Sequence, residues 1–172
     1  AWLDQRRGFF NGTSLLLHVY GQEQLQHRLH MQGSSQVPDW QLATGLTAIA
    51  IDSNGFGTYT AEHYDELVDC PVEMGTFWSG TFTACGVPHR FMVAGAPDSF
   101  DAERLLRDTQ KMCEAEIQFW ENAPHANYLF MLNVTHDGYG GLEHCNSTAL
   151  ICSRPDLPRL GVDKASDGYN QL

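Results

Sequence analysis

Residues 127–144 read NYLFMLNVTHDGYGGLEH, an apolar segment followed by a glycine-rich loop and a short polar segment. Residues 127–134 are almost entirely apolar and have strand length, which predicts a strand covered on both faces. A loop follows, marked by the turn residues Asp137, Gly138, Gly140 and Gly141. Residues 142–152 mix polar and small residues, a pattern typical of an edge strand that faces a cleft.

Upstream of this stretch, the sequence predicts a β-hairpin over residues 76–94 and one long helix over about residues 99–122. Asp98 or Ser99 is the expected N-cap of that helix. His89, close to the hairpin turn, is expected at the surface. The helix carries one apolar stripe and one charged face, so we expect it to pack on a sheet. The stripe consists of Ala102, Leu106, Thr109, Cys113, Ile117 and Trp120.

The first third of the chain is rich in strand formers. Residues 9–20 and 46–52 are apolar or alternating runs, separated from their neighbours by glycines and turn residues. About four strands fit here, which is too few for a complete sandwich. The fold class predicted for the whole chain is therefore α+β, with a β-rich N-terminal part, a portion of a β-sandwich-like domain, before a sheet and a helix.

Charge and hydropathy exclude several classes of partner. The formal net charge is −11, and the basic residues never cluster beyond the pair Arg6 and Arg7. A phosphate backbone or an anionic membrane would be repelled, so neither nucleic acid nor membrane is an expected partner. No apolar run approaches the roughly 20 residues that span a bilayer. A cationic ligand, such as a free amino terminus or a metal ion, fits this charge better.

The five cysteines have irregular spacing and contain no C-x-x-C pair. Unpaired thiols are typical of a reducing compartment, so a cytoplasmic location is slightly favoured, with the periplasm left open. The sequence also contains no H-E-x-x-H, no G-x-S-x-G, no P-loop and no G-x-G-x-x-G motif. The chain therefore carries none of these complete catalytic or nucleotide-binding signatures.

One dense group of polar residues remains as a candidate site, the segment from His136 to His144. Two glycines before Glu143 let a ligand or another backbone approach closely. On an edge strand, Glu143 would project into a cleft and bind a substrate ammonium group while the backbone pairs with an extended peptide. Two alternatives stay open at this point. One is an ordinary solvated loop-to-strand transition. The other is a small metal site built from His136, Asp137, Glu143, His144 and Cys145.

Four stretches of the sequence resemble the bacterial glycyl aminopeptidase family, which comprises zinc peptidases related to aminopeptidase N that often carry a later PDZ domain. The clearest is Gly140-Gly141-Leu142-Glu143-His144, with residues 147–150 after it. The others are residues 7–14, the Trp40 region and residues 64–75. Their order and spacing extend the resemblance over nearly the whole chain.

The resemblance implies two parts and a substrate site. Residues 1–63 would be the later part of an N-terminal β-domain. Residues 64–172 would begin a thermolysin-like peptidase domain, with a mostly antiparallel sheet, one helix over about 99–122 and an edge strand over about 142–152. The run from Gly140 to His144 corresponds to the G-A-M-E-N motif of aminopeptidase N. Glu143 would then bind the free α-amino group of a peptide, and Gly140 and Gly141 would line the substrate strand. Leu142 replaces the motif's Met, and His144 replaces its Asn.

The resemblance also implies a zinc site that this sequence does not supply. In the family, an H-E-x-x-H helix follows shortly after a segment like residues 164–172, and it carries two zinc ligands and the general base. We therefore expect the chain to be the substrate-recognition fragment of a zinc aminopeptidase, a hydrolase that removes small N-terminal residues such as Gly or Ala. The fragment alone is expected to be inactive, to hold no zinc and to self-associate through surface exposed by truncation. The alternative function is a non-catalytic peptide-binding module that uses an edge strand.

Overall fold

The computed structural model describes residues 1–172 and divides into two compact units, Ala1–Thr76 and Phe77–Leu172. The predicted α+β class is confirmed, because short strands in three sheets are combined with a few helices. The boundary expected near residue 63 precedes a helix and a strand that the structure includes in the first unit. The strand, residues 72–75, pairs with two other strands of the first unit and therefore belongs to that unit.

The first unit contains two sheets. A four-stranded sheet has the order β1-β2-β7-β4, and a three-stranded sheet has the order β3-β6-β5. Buried apolar side chains, among them Phe10, Leu42, Tyr59 and Val72, form its core. The elements are β1 (Trp2–Leu3), β2 (Arg7–Phe10), β3 (His27–Met31), β4 (Gln41–Thr44), β5 (Thr47–Ile51), β6 (Gly57–Ala61), α1 (Tyr64–Asp69) and β7 (Val72–Gly75).

Two expectations for this unit are wrong in detail. Residues 9–20 do not continue as a strand, because β2 ends at Phe10 and a 3₁₀ turn follows at Gly12–Ser14. The unit also has more strands than the four expected for the first third of the chain. Its strands are only two to five residues long, so more of them fit in the same length of chain.

The second unit is built on one five-stranded sheet with the order β11-β12-β10-β9-β8. A short 3₁₀ turn at Arg154–Asp156 follows its last strand. The elements are β8 (Phe77–Ala84), β9 (Val87–Ala94), α2 (Ala102–Phe119), β10 (Tyr128–Thr135), β11 (Gly140–Glu143), β12 (Ser147–Ser153) and α3 (Asp167–Gln171). The predicted hairpin over 76–94 is present as β8 and β9. The apolar run 127–134 is the central strand β10, as predicted.

The prediction of a mostly antiparallel sheet is wrong. The pairs β8/β9 and β11/β12 are antiparallel, whereas β10 is parallel to both of its neighbours. Parallel neighbours need a crossover connection, and α2 supplies it between β9 and β10. The sheet is therefore mixed, and its central strand is β10.

Helix α2 is shorter than predicted, and its N-cap is neither Asp98 nor Ser99. The Asp101 side chain caps it by accepting a hydrogen bond from the backbone N–H of Arg104 at 3.0 Å. The helix packs against β8. The predicted apolar stripe is wrong at its C-terminal end, because Trp120 lies just beyond the helix and is 70% exposed. No helix in the structure has the length and apolar character required to cross a bilayer.

Two further predictions about the second unit need correction. The single edge strand predicted over 142–152 is two strands. β11 forms the edge, and β12 lies inside the sheet between β11 and β10. His89 is not a surface residue, since it is only 3% exposed and its ring stacks on Phe82.

Candidate functional site

The candidate site lies on β11, the edge strand of the sheet. Glu143 lies opposite Thr148 in the antiparallel pair, and Gly141 lies opposite Leu150. Alternate residues of a strand share one face, so Glu143 and Gly141 point to the same side of the sheet. The Glu143 side chain is exposed and takes part in none of the salt bridges of the chain. Its carboxylate is therefore available to a ligand.

The face that carries Glu143 is the one covered by α2. Gly141, Leu150, Leu132 and Val93 follow one another across the sheet in register. Leu132 and Val93 are fully buried and belong to the core cluster that includes Leu105 of α2. Glu143 thus lies at the outer edge of the same face, beyond the part that the helix covers.

The two glycines of β11 leave different amounts of space. A Cβ atom at Gly140 would have no neighbour within 4 Å. A Cβ at Gly141 would lie 2.9 Å from Cδ2 of Leu150 and 3.8 Å from Oε1 of Glu143. Gly141 therefore keeps the space beside the carboxylate open, and β11 has a strand partner on one side only.

Hydrogen bonds fix both ends of β11. At its start, the Ser153 hydroxyl accepts from the Gly138 N–H at 3.0 Å and lies 3.2 Å from the Gly138 carbonyl oxygen. At its end, the His144 N–H donates to the Ser147 carbonyl at 2.9 Å. The position of Glu143 is thus set by the neighbouring strand β12. No motif in the sequence marks Ser153, because a serine at the end of a strand gives no distinctive signal.

The other predicted site residues have different environments. Leu142 is 49% exposed and, by strand alternation, points to the opposite face from Glu143. Its carbonyl accepts a 3.4 Å hydrogen bond from the hydroxyl of Thr148. His144 lies just after β11 and is half-buried. The structure brings Gly141 and Glu143 together on one face and separates Leu142 from them.

The residues named for a small metal site do not form one. No group of three or more His, Cys, Asp or Glu side chains in the structure is arranged to hold a metal ion. A catalytic zinc site needs three protein ligands and an open position for water. Residues 1–172 therefore do not fit a zinc ion on their own.

An open groove of about 380 Å³ lies on the sheet between α2 and α3. Its apolar lining includes Phe91, Met112, Phe130 and Leu150. At its rim, the Tyr169 hydroxyl donates to Oδ2 of Asp108 at 3.1 Å, and burial raises the pKa of Tyr169. Leu150 belongs both to this groove and to the row that contains Gly141.

Comparison with known proteins agrees with the division of the chain into two compact units. Residues 1–76 match the family model of the peptidase M61 N-terminal domain. The match covers the first compact unit, Ala1–Thr76. The match thus ends where the sheet that contains β11 begins.

The whole chain is similar to the crystal structure of an aminopeptidase N family protein from Idiomarina loihiensis. The two share 39% identity with a TM-score of 0.95 over 99% of this chain. The chain spans 29% of the length of the Idiomarina protein. The predicted relation to aminopeptidase N is confirmed at this level, whereas the glycyl aminopeptidase family and an associated PDZ domain stay predictions.

Two more distant structures are M1 zinc metallopeptidases from Deinococcus radiodurans. One matches at 16% identity and a TM-score of 0.45, over 67% of this chain and 28% of its own. The other, a mutant bound to a Tyr-Ser-Ala substrate, matches at 17% identity and a TM-score of 0.44, over 64% of this chain and 27% of its own. No protein with a curated description matches the chain.

Proposed function

We propose that residues 1–172 are the peptide-recognition part of a zinc aminopeptidase that removes N-terminal residues, small ones such as Gly or Ala, from peptides. The observation that carries this proposal is the exposed carboxylate of Glu143 on an edge strand with one open side. The 39% identity with an aminopeptidase N family protein supports the reaction class. The ligand is a peptide with a free N-terminus.

An extended peptide would add to the open side of β11 through backbone hydrogen bonds. Gly140 and Gly141 would let its backbone approach, since neither carries a side chain on that strand. The ammonium group would then lie against Glu143 in a charge-assisted contact, worth about 1.5–3 kcal/mol. The net charge of −11 favours a cationic end group over an acidic one.

Leu142 and His144 complete the proposed recognition segment. Leu142 faces away from Glu143, so it would contact the peptide from the other side of the strand. His144 lies where β11 turns toward β12, and it would border the position next to the ammonium group. Neither residue is assigned a catalytic role.

Zinc would be bound outside residues 1–172, because no metal-binding group exists within them. Residues elsewhere in a longer protein would hold the ion and supply the general base. We expect the purified 172-residue chain to show no zinc-dependent hydrolysis, and metal-dependent peptidase activity from it would contradict this.

The test of the proposal is the Glu143→Ala variant of the full-length protein. Loss of a contact of about 1.5–3 kcal/mol predicts a fall in kcat/KM of about 10- to 150-fold for substrates with a free amino terminus, with a raised KM. Glu116→Ala is a matched control, since Glu116 is an exposed carboxylate on α2. N-acetylated peptides lack the ammonium group, so their binding should not change. Equal kinetics of the Glu143 and Glu116 variants would refute the assignment.

The alternative function is a non-catalytic module that binds extended peptides at the β11 edge. The open side of β11 favours it independently of any metal. One measurement distinguishes the two functions, which is peptide hydrolysis by the full-length protein with and without a zinc chelator. Cytoplasmic location and self-association of the fragment both stay predictions; light scattering of the purified chain tests the second.

A further inference from the structure

A cluster of five rings lies on the sheet of the second unit. It contains Phe82 of β8, His89 of β9, Tyr128 and Phe130 of β10, and His125 from the segment between α2 and β10. His89 stacks on Phe82 at 4.9 Å between ring centroids with an angle of 7°. His125 meets His89 edge-on at 6.0 Å and lies 4.7 Å from Tyr128. Two imidazoles are thus packed among apolar rings.

The hydrogen bonds of the two histidines differ. Nδ1 of His89 donates to the Val87 carbonyl at 2.9 Å, because a carbonyl oxygen can only accept. Both ring nitrogens of His125 are shielded from solvent and have no hydrogen-bond partner. A buried polar group without a partner destabilises the folded state, and a charged one does so far more.

No anion is placed to stabilise a positive charge on His125. The groups that face it are His89 from β9 and Tyr128 from β10. Burial and the neighbouring His89 both lower the pKa of His125, and no carboxylate opposes them. The segment that carries His125 can therefore pack on the sheet most stably when this imidazole is neutral.

We propose that His125 is a pH-sensitive latch that holds residues 120–127 against the sheet while its ring is neutral and releases them when the ring is protonated. The released ring would gain water as a hydrogen-bond partner and leave His89 behind in the cluster. The segment connects the end of α2 to the start of the central strand, so its release would loosen the crossover. This inference does not depend on the proposed peptidase function.

The sign of the effect follows from the direction of the shift. A histidine with a lowered pKa in the folded state contributes stability that is complete above its unfolded value of about 6.5 and is lost as pH falls. The latch is thus closed at pH 7.5 and opens in acid. A cluster held only by apolar contacts would show no such dependence.

The experiment is amide hydrogen exchange of the native chain at pH 7.5 and pH 5, corrected for intrinsic exchange rates. We expect the protection of three amides that border this segment, those of Trp120, Glu121 and Leu129, to fall severalfold at pH 5, because their hydrogen bonds to Glu116, Gln118 and Asn146 flank the released residues. The variant His125→Phe keeps a ring but cannot ionise, so its protection should not depend on pH. The control His136→Phe changes an exposed histidine and should keep the native dependence.

Two results would overturn the proposal. One is equal protection of the Trp120, Glu121 and Leu129 amides at both pH values in the native chain. The other is a pH dependence that persists in His125→Phe. An NMR titration of the His125 ring in the native chain gives an independent check that needs no variant. A midpoint at or above 6.5 would also contradict the latch.

Discussion

Arg7 and Glu73 form a two-point ion pair between neighbouring strands of the first unit. Nε of Arg7 lies 2.5 Å from Oε1 of Glu73, and Nη2 lies 2.7 Å from Oε2. Glu73 belongs to β7, between β2 and β4, and is only 2% exposed. Burial raises the pKa of Glu73, while the hydrogen bonds and charge of Arg7 act in the opposite direction. The carboxylate therefore depends on this arginine to remain charged inside the unit.

Removing the arginine should destabilise the fold strongly. In Arg7→Met, Glu73 would be buried without a partner, so we expect the free energy of unfolding to fall by about 3–5 kcal/mol in urea denaturation. Arg6→Met is the control, because Arg6 is exposed, and it should stay within about 0.5 kcal/mol. The double variant with Glu73→Met should recover much of the loss, since it removes the unpaired charge.

The loss of stability in the single variant Arg7→Met should also depend on pH. Without Arg7, only burial acts on Glu73, so its pKa rises further above the unfolded value. A carboxyl group with a raised pKa stabilises the fold at low pH, and this contribution is lost as pH rises through that range. The fall in the free energy of unfolding caused by Arg7→Met should therefore be smaller at pH 4 than at pH 7. A cost that is equal at both values would mean that Glu73 is not the group left unsatisfied.

The two glycines of β11 should respond differently to the same substitution. In Gly141→Ala, the new methyl group would lie 2.9 Å from Cδ2 of Leu150, so that side chain must shift, at a cost of about 1 kcal/mol. Gly140→Ala meets no atom within 4 Å and should be neutral or slightly stabilising, by about 0.4–1 kcal/mol. Urea denaturation of both variants checks this. Similar stabilities would show that Leu150 does not restrict the space beside Glu143.

The local patterns of the sequence predicted much of the second unit. The apolar run that contains Leu132 is the central strand β10, and the hairpin and helix lie close to their expected ranges. Glu143 was placed on an edge strand, and it lies on one. These features depend on short-range hydrophobic patterns, which the sequence displays directly.

The features that the sequence did not predict depend on contacts between distant segments. The parallel pairing of β10 follows from the crossover through α2, and no short pattern specifies it. His89 was expected at the surface because a proline and a turn lie beside it, yet its ring is covered by Phe82 from the neighbouring strand. The Asp101 cap was missed because several acidic and polar residues precede the helix, and only the backbone path selects one.

The N-cap of α2 should contribute measurably to stability. Asp101 accepts a hydrogen bond from the Arg104 N–H at 3.0 Å, and its own N–H donates to the Pro158 carbonyl at 2.9 Å. Asp101→Ala removes the side-chain acceptor and should cost about 1 kcal/mol in thermal or urea unfolding. Asp101→Asn retains an acceptor oxygen and should cost much less. Asp98→Ala tests the cap expected from the sequence, and a larger loss there would contradict the assignment.

The cysteines of the second unit should differ in reactivity toward iodoacetamide. Burial raises the pKa of both Cys113 and Cys152 to about 11. At pH 8, about one in a thousand of such thiols is a thiolate, the reactive form. Cys85 and Cys145 are exposed to the reagent.

Mass spectrometry of the native chain at pH 8 should therefore show modification at Cys85 and Cys145 first. Cys113 and Cys152 should react at least about 100-fold more slowly than an ordinary thiol. In denaturing urea this protection should disappear, which separates an effect of the fold from an effect of neighbouring sequence. If Cys152 reacts as fast as Cys85 in the native chain, β12 does not bury its side chain against the core, and the register that positions Glu143 on the adjacent edge strand is wrong.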